Sequence, residues 1–119
     1  MTTHKTIVAR AKFVRTSPRK LRLVVNAIRG MSPTNAIDYL KVIPKRAARP
    51  VLQVFQQAMA NAKNNDQISP GDLVVKQLQV EEGPRGPKRL DRSHGARFDR
   101  GVKRKRMAHI TLNLEAKER

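Results

Sequence analysis

Hydrophobic and polar residues alternate in two stretches of the 119-residue chain, one near each end. A period of two is typical of a strand with one buried face and one wet face. The stretch from Thr6 to Val14 therefore predicts a first strand, with Phe13 on its apolar side and Arg10 and Lys12 on its polar side. The stretch from Ala108 to Glu115 predicts the last strand in the same way.

A third strand is predicted from Leu73 to Val80, where valine and leucine are frequent. It follows turn-forming residues at positions 69–72. Lys76 interrupts the alternation of this strand. Together the three strands are expected to form a small antiparallel sheet.

Two helices are predicted from matching start signals. Ser17-Pro18 and Ser32-Pro33 each place a capping serine before a proline at the first helical position. The first helix is expected to end at Gly30, and the shorter second helix is expected to stop near Ile43-Pro44.

The longest helix is predicted between Lys45 and Asn64, where apolar residues recur at the spacing of three and four that is typical of a buried helical stripe. Pro50 lies inside this segment. Proline in a helix interior removes a backbone hydrogen bond, so the helix either kinks at Pro50 or opens there.

The segment between Gly83 and Arg106 contains ten basic and two acidic residues, a net charge of +8 in 24 residues. Its bulky apolar residues are too few to bury it in a core. Because a predicted strand stands on either side, we expect a two-stranded arm that projects from the body by on the order of 30 Å. The alternative is a solvated basic loop or a disordered insertion without a specific role.

These elements predict one α+β domain over residues 1–119, with three helices packed on a small three-stranded antiparallel sheet. Residues 1–82 and 107–119 are expected to form the globular body. Residues 83–106 are expected to form a long protruding basic β-hairpin arm, which we call the arm.

The balance of 26 Lys and Arg against 9 Asp and Glu, a net charge of +17, predicts a polyanionic partner. Few aromatic residues are present, so we expect phosphate contacts and shape to outweigh base stacking. The residues predicted to bind RNA lie in a first basic set near the N-terminus and in the arm. They are Arg10, Lys12, Arg15, Arg19, Lys20, Arg22, Arg85, Lys88, Arg89, Arg92, Arg97, Arg100, Lys103, Arg104, Lys105 and Arg106.

Enzymatic and metal chemistry are not predicted. Cysteine is absent, and His4, His94 and His109 are too far apart for a recognisable ligand spacing. Glu81 and Glu82 are neighbours on a predicted strand, so their side chains point to opposite faces and do not form a carboxylate pair. We therefore expect no enzyme and no cofactor. No apolar run approaches the roughly 18 residues that span a bilayer, so no membrane partner is expected.

The order and spacing of several motifs resemble the large-subunit ribosomal protein family twenty-two, in its bacterial or organellar form. The resemblance spans nearly the whole chain. The motifs are Arg15 to Arg22 (RTSPRKLR), Ile28-Arg29-Gly30, Lys45-Arg46-Ala47-Ala48, Ala60-Asn61-Ala62, Glu82-Gly83-Pro84 and His109-Ile110-Thr111.

The resemblance implies a structural constituent of the large ribosomal subunit, in a cytoplasmic or an organellar ribosome. The implied partners are 23S-type rRNA, neighbouring large-subunit proteins and the nascent polypeptide. The family's hairpin helps to line the nascent-peptide exit tunnel, close to where macrolide antibiotics bind. By position, the tip of the arm would be formed by His94, Gly95, Ala96 and Arg97.

A DNA-architectural protein is the alternative function, because some such proteins bend a duplex with basic ribbon arms. Those proteins are typically dimers with a large apolar interface. The apolar stripe predicted here is wide enough only for the chain's own core, so we expect no homo-oligomer.

Overall fold

The computed structural model describes residues 6–65, 67–84, 89–91, 101–103 and 106–116. The predicted α+β class is confirmed, with three helices and a three-stranded antiparallel sheet. The elements in chain order are β1 (Thr6–Val14), α1 (Pro18–Ile28), α2 (Pro33–Val42), α3 (Ala48–Asn65), β2 (Leu73–Glu82), β3 (Arg89–Asp91), β4 (Gly101–Lys103) and β5 (Ala108–Ala116).

The first two helices begin at the serine–proline pairs. The Ser17 hydroxyl accepts a hydrogen bond from the backbone N–H of Lys20 at 3.4 Å, and Ser32 accepts one from Asn35 at 3.4 Å. Each bond satisfies a donor that has no partner inside the helix. Gly30 follows α1 with φ +84°, a left-handed conformation that glycine adopts without steric cost.

Helix α3 opens around Pro50 and does not kink there. It begins at Ala48, so Pro50 lies in the first turn, where backbone N–H groups have no intrahelical acceptor. The proline therefore removes no helical hydrogen bond. The helix buries a stripe formed by Ala48, Val51, Val54, Phe55, Ala58 and Ala62.

Strand β5 is the centre of the sheet, whose order is β1-β5-β2. Its alternate residues Ala108, Ile110, Leu112 and Leu114 are completely buried against the helices. Helix α3 packs on β1 and β5, while α1 packs on β2 and α3. The helices thus cover one face of the sheet, and among the described residues no polar or charged side chain is buried.

The interrupted alternation at Lys76 corresponds to a β-bulge. Val75 pairs with Leu114 and Gln77 pairs with the adjacent Asn113, so Lys76 is an extra residue with no partner on β5. The bulge allows Val75 and Leu78 to face the core on either side of the irregularity.

The prediction that Phe13 lies on the apolar side of β1 is wrong, because β1 contains a second irregularity. Ala11 pairs with Ile110 and Val14 with Ala108, so two residues of β1 oppose His109 alone. Phe13 has φ 58° and its side chain is 59% exposed. The extra residue reverses the alternation, so that Val14 and not Phe13 packs against the core.

The arm leaves the body where β2 ends and β5 begins. There the backbone N–H of Gly83 donates to the carbonyl of Met107 at 2.8 Å. Farther out, β3 and β4 pair antiparallel, with Arg89 opposite Lys103 and Asp91 opposite Gly101. The molecule measures 66 × 26 × 21 Å, and this elongation agrees with an arm that projects from the body.

Gly83 is required by the close approach of the two chains at the base of the arm. A Cβ at this position would lie 3.1 Å from both the carbonyl carbon and the carbonyl oxygen of Met107. We expect Gly83→Ala to lower the free energy of unfolding by about 1–2 kcal/mol, because backbone atoms must move to admit the methyl group.

Urea denaturation measures this change, and Gly71→Ala is the matched control. A Cβ at Gly71 would meet nothing within 4 Å, so the control should change stability by less than about 0.5 kcal/mol. Equal stabilities of the two variants would contradict the close approach at Gly83.

Candidate nucleic-acid interface

One end of the sheet gathers several segments that are distant in sequence. Antiparallel pairing sets Val14, at the end of β1, opposite Ala108, at the start of β5. Ala108 in turn pairs with Glu82, the last residue of β2. The connection from β1 to α1 and the base of the arm therefore emerge from the same end of the sheet, which we call the arm end.

The uncovered face of the sheet carries polar side chains in rows across the strands. Arg10 lies opposite Thr111, which lies opposite Gln79. This face forms a shallow concavity of about 370 Å³, lined by Arg10, Lys12, Gln79, Glu81, His109, Ile110, Thr111 and Asn113. Arg10 and Lys12 are exposed there, as the alternation of β1 predicts.

The basic residues beyond β1 continue along the arm end. Arg15, in the connection to α1, and Arg19 and Lys20, in the first turn of α1, are exposed. The first turn of α1 contains no acidic residue. Cations are disfavoured at a helix N-terminus by the helix dipole, so these side chains do not stabilise the start of α1.

Arg22 is exposed like the other predicted binding residues of the body, but its guanidinium also bonds to the backbone of another element. Its Nη2 donates to the carbonyl oxygen of Val80 at 3.1 Å. This bond connects α1 to β2, an outer strand of the sheet. No local feature of the sequence indicates this bond, because its acceptor lies 58 positions later in the chain.

The described part of the arm supplies further cationic positions. Arg106 is exposed at the base of the arm. Arg89 and Lys103 occupy directly paired positions of β3 and β4. The other predicted RNA-binding residues of the arm lie outside the described residues, as does the predicted tip formed by His94, Gly95, Ala96 and Arg97. Those other residues are Arg85, Lys88, Arg92, Arg97, Arg100, Arg104 and Lys105.

The exposed cations of β1, of its connection to α1, of the first turn of α1 and of the base of the arm form one set, which we call the basic surface. Glu81 and Glu82 lie on β2, across β5 from the cations of β1. Charge at the arm end is thus asymmetric, with a cationic side along β1 and its connection to α1. The basic surface consists of Arg10, Lys12, Arg15, Arg19, Lys20 and Arg106.

Phe13 and His109 form a contact at the arm end that sequence reasoning missed. The backbone N–H of Phe13 donates to Nδ1 of His109 at 3.1 Å. The two rings meet edge to face, with centroids 5.0 Å apart and planes at 87°. The contact depends on the bulge in β1, for which the alternating sequence gives no signal.

Other kinds of site are not found in the part of the chain that the structure describes. It contains no cluster of three or more histidine, aspartate or glutamate residues that could hold a metal ion. Nor does any of its helices combine the length and apolarity that crossing a membrane requires.

Comparison with known proteins relates the chain to one family of ribosomal proteins. The family model of ribosomal protein L22p/L17e matches residues 9–115. The chain is also similar to the large ribosomal subunit protein uL22 of Deinococcus radiodurans, with 42% identity over 107 residues. That alignment covers 90% of this chain and 78% of the relative.

Proposed function

The chain belongs to the ribosomal protein L22p/L17e family, and from this premise we propose that its basic surface and its arm bind 23S-type rRNA together. Members of the family are structural, non-enzymatic proteins of the large ribosomal subunit. The protein therefore has its place in the ribosome, where its partners are ribosomal RNA and other ribosomal proteins.

The observation that carries the proposal is the meeting of the two basic sets at the arm end. In sequence the first set ends at Arg22 and the arm begins about sixty residues later. Pairing of β5 with both β1 and β2 brings Arg15, Arg19 and Arg106 to the same end of the body. Lysine and arginine side chains on one side of a protein neutralise the closely spaced phosphates of folded RNA.

Arginine suits this task because its planar guanidinium pairs with two phosphate oxygens at once. The open face of the sheet adds hydroxyl and amide groups from Thr111 and Gln79 beside Arg10. Such groups form hydrogen bonds with phosphates and with ribose 2′-hydroxyls. The proposed interface thus contains both a charge component and a component that distinguishes RNA from DNA.

We further propose that the arm helps to line the nascent-peptide exit tunnel with its tip. The three residue pairs of β3 and β4 share a midpoint at position 96. This register supports a tip at His94 to Arg97, the residues to which the family resemblance assigns it. A tip at that position would face the nascent polypeptide, while the base of the arm would contact rRNA and neighbouring large-subunit proteins.

The first test measures how salt affects binding to a transcript of large-subunit rRNA. Each phosphate contact adds about 0.7–0.9 to the slope of log affinity against log salt. The double variant Arg10→Ala with Lys12→Ala should therefore lower that slope by roughly 1.5. Fluorescence anisotropy titrations between 50 and 200 mM salt measure the slope.

Lys63→Ala with Lys76→Ala is the matched control, since it removes the same charge. Lys63 lies in the last turn of α3 and Lys76 in the first half of β2, both away from the arm end. The control should leave the slope nearly unchanged. Equal slopes for the two double variants would contradict a localised interface, and a stable dimer that prefers duplex DNA would favour the DNA-architectural alternative.

The second test shortens the arm while preserving its described strands. Asp91 and Gly101 are directly paired, so an Asn-Gly turn can replace residues 92–100 and close the hairpin. We expect large subunits that carry this variant to assemble, because the body and the base of the arm are intact. We expect nascent-chain transit or macrolide response to change, because the tunnel loses part of its wall.

Translation assays on ribosomes with the shortened arm measure both properties. Ribosomes that carry the Lys63→Ala and Lys76→Ala double variant provide the control, because it removes the same net charge of two without altering the arm. Unchanged transit and unchanged macrolide response in fully assembled ribosomes would contradict the tunnel role and leave rRNA binding in place.

A further inference from the structure

Phe13 combines an unfavourable backbone conformation with an exposed aromatic ring. Its φ of 58° lies in the left-handed region, where an aromatic residue is a genuine outlier. Its side chain is 59% exposed, so burial of the ring does not compensate for the strain. Strain of this kind persists where the surrounding structure imposes it, and it is frequent at ligand-binding positions.

The surroundings of Phe13 hold the ring in one place. The bulge in β1 turns the side chain away from the core, and Val14 on its C-terminal side packs inward. The backbone N–H of Phe13 is fixed by Nδ1 of His109, whose ring also meets the Phe13 ring edge to face. A ring held in this way loses little conformational entropy when a ligand packs against it.

The residues that flank Phe13 in the chain are of the kind that a nucleotide-binding position requires. Lys12 and Arg15 stand on either side of Phe13 in the chain, and both are exposed. An aromatic face beside cations matches a nucleotide, whose base stacks while its phosphates are neutralised. An apolar protein partner fits less well, because the nearest exposed apolar residue on the sheet, Val8, lies five positions away and is only 41% exposed.

We propose that Phe13 stacks on an unpaired base of the RNA that binds the basic surface, with His109 supporting the ring. This inference rests on the proposed rRNA binding and adds a base contact to it. It modifies the sequence-based expectation that phosphate contacts outweigh stacking, because one preorganised aromatic ring is enough for one base. The unpaired base places the contact at a loop, bulge or junction of the RNA, since bases inside a helix have no free face.

The experiment uses the full chain with Phe13→Trp. The natural sequence contains no tryptophan, so the variant has a single indole that reports on this position alone. Addition of the large-subunit rRNA transcript should quench its fluorescence, because a stacked base returns the excited indole to the ground state without emission of light. Val42→Trp, at the 77% exposed position that ends α2, is the control and should be little affected.

Affinity measurements separate stacking from apolar contact. Phe13→Tyr should bind the transcript as the natural chain does, whereas Phe13→Leu should bind roughly five- to a hundredfold more weakly, because leucine has no aromatic face. Phe13→Gly relieves the left-handed strain and should bind as weakly as Phe13→Leu, with a urea midpoint no lower than that of Phe13→Leu. This variant shows that weaker binding does not come from unfolding.

The outcomes are distinguishable. The stacking inference would be overturned if Phe13→Trp bound RNA saturably without quenching. It would also be overturned if Phe13→Leu and the natural chain bound with equal affinity. Either result would leave the proposed function intact. Failure of the natural chain itself to bind the transcript would overturn the proposed function and the stacking inference together.

Discussion

The pairing of β5 with both β1 and β2 is the constraint on which the rest of the structure depends. It places the end of β1 beside the base of the arm, although the two are separated by most of the chain. It also completely buries Ile110, Leu112 and Leu114 beneath the helices, which stabilises the sheet through apolar contact on one face. The opposite face is left to polar and basic side chains that can contact a partner.

Both parts of the proposed interface are consistent with that one-sided packing. A body that buries apolar residues on one face of a single sheet has no second layer to cover the other, so Arg10, Thr111 and Gln79 remain available there. The composition of the arm, which is cationic and poor in bulky apolar residues, does not favour packing against a core. Its net charge of +8 produces electrostatic self-repulsion, which a polyanionic partner would relieve.

Local signals in the sequence predicted the helices and strands, and long-range pairing produced what they missed. The bounds of β1 agree with the predicted Thr6 to Val14, and the serine–proline caps start α1 and α2 where expected. The sequence left open whether the longest helix kinks at Pro50 or opens there. Pro50 lies in the first turn of α3, so the helix opens there. The outward turn of Phe13 and the bond from Arg22 to Val80 were not predictable, because each depends on contact with a strand far along the chain. Family resemblance, not periodicity, provided the ribosomal assignment and the tip residues.

Hydrogen exchange is the most direct measurement of the central claim that two distant basic segments act as one RNA-binding surface. The amides of residues 11–19 and of residues 83–106 should slow together when the chain binds a transcript of large-subunit rRNA. Those of residues 67–76, at the opposite end of the sheet, should not change. Slower exchange in the arm alone, with residues 11–19 unaffected, would contradict the claim.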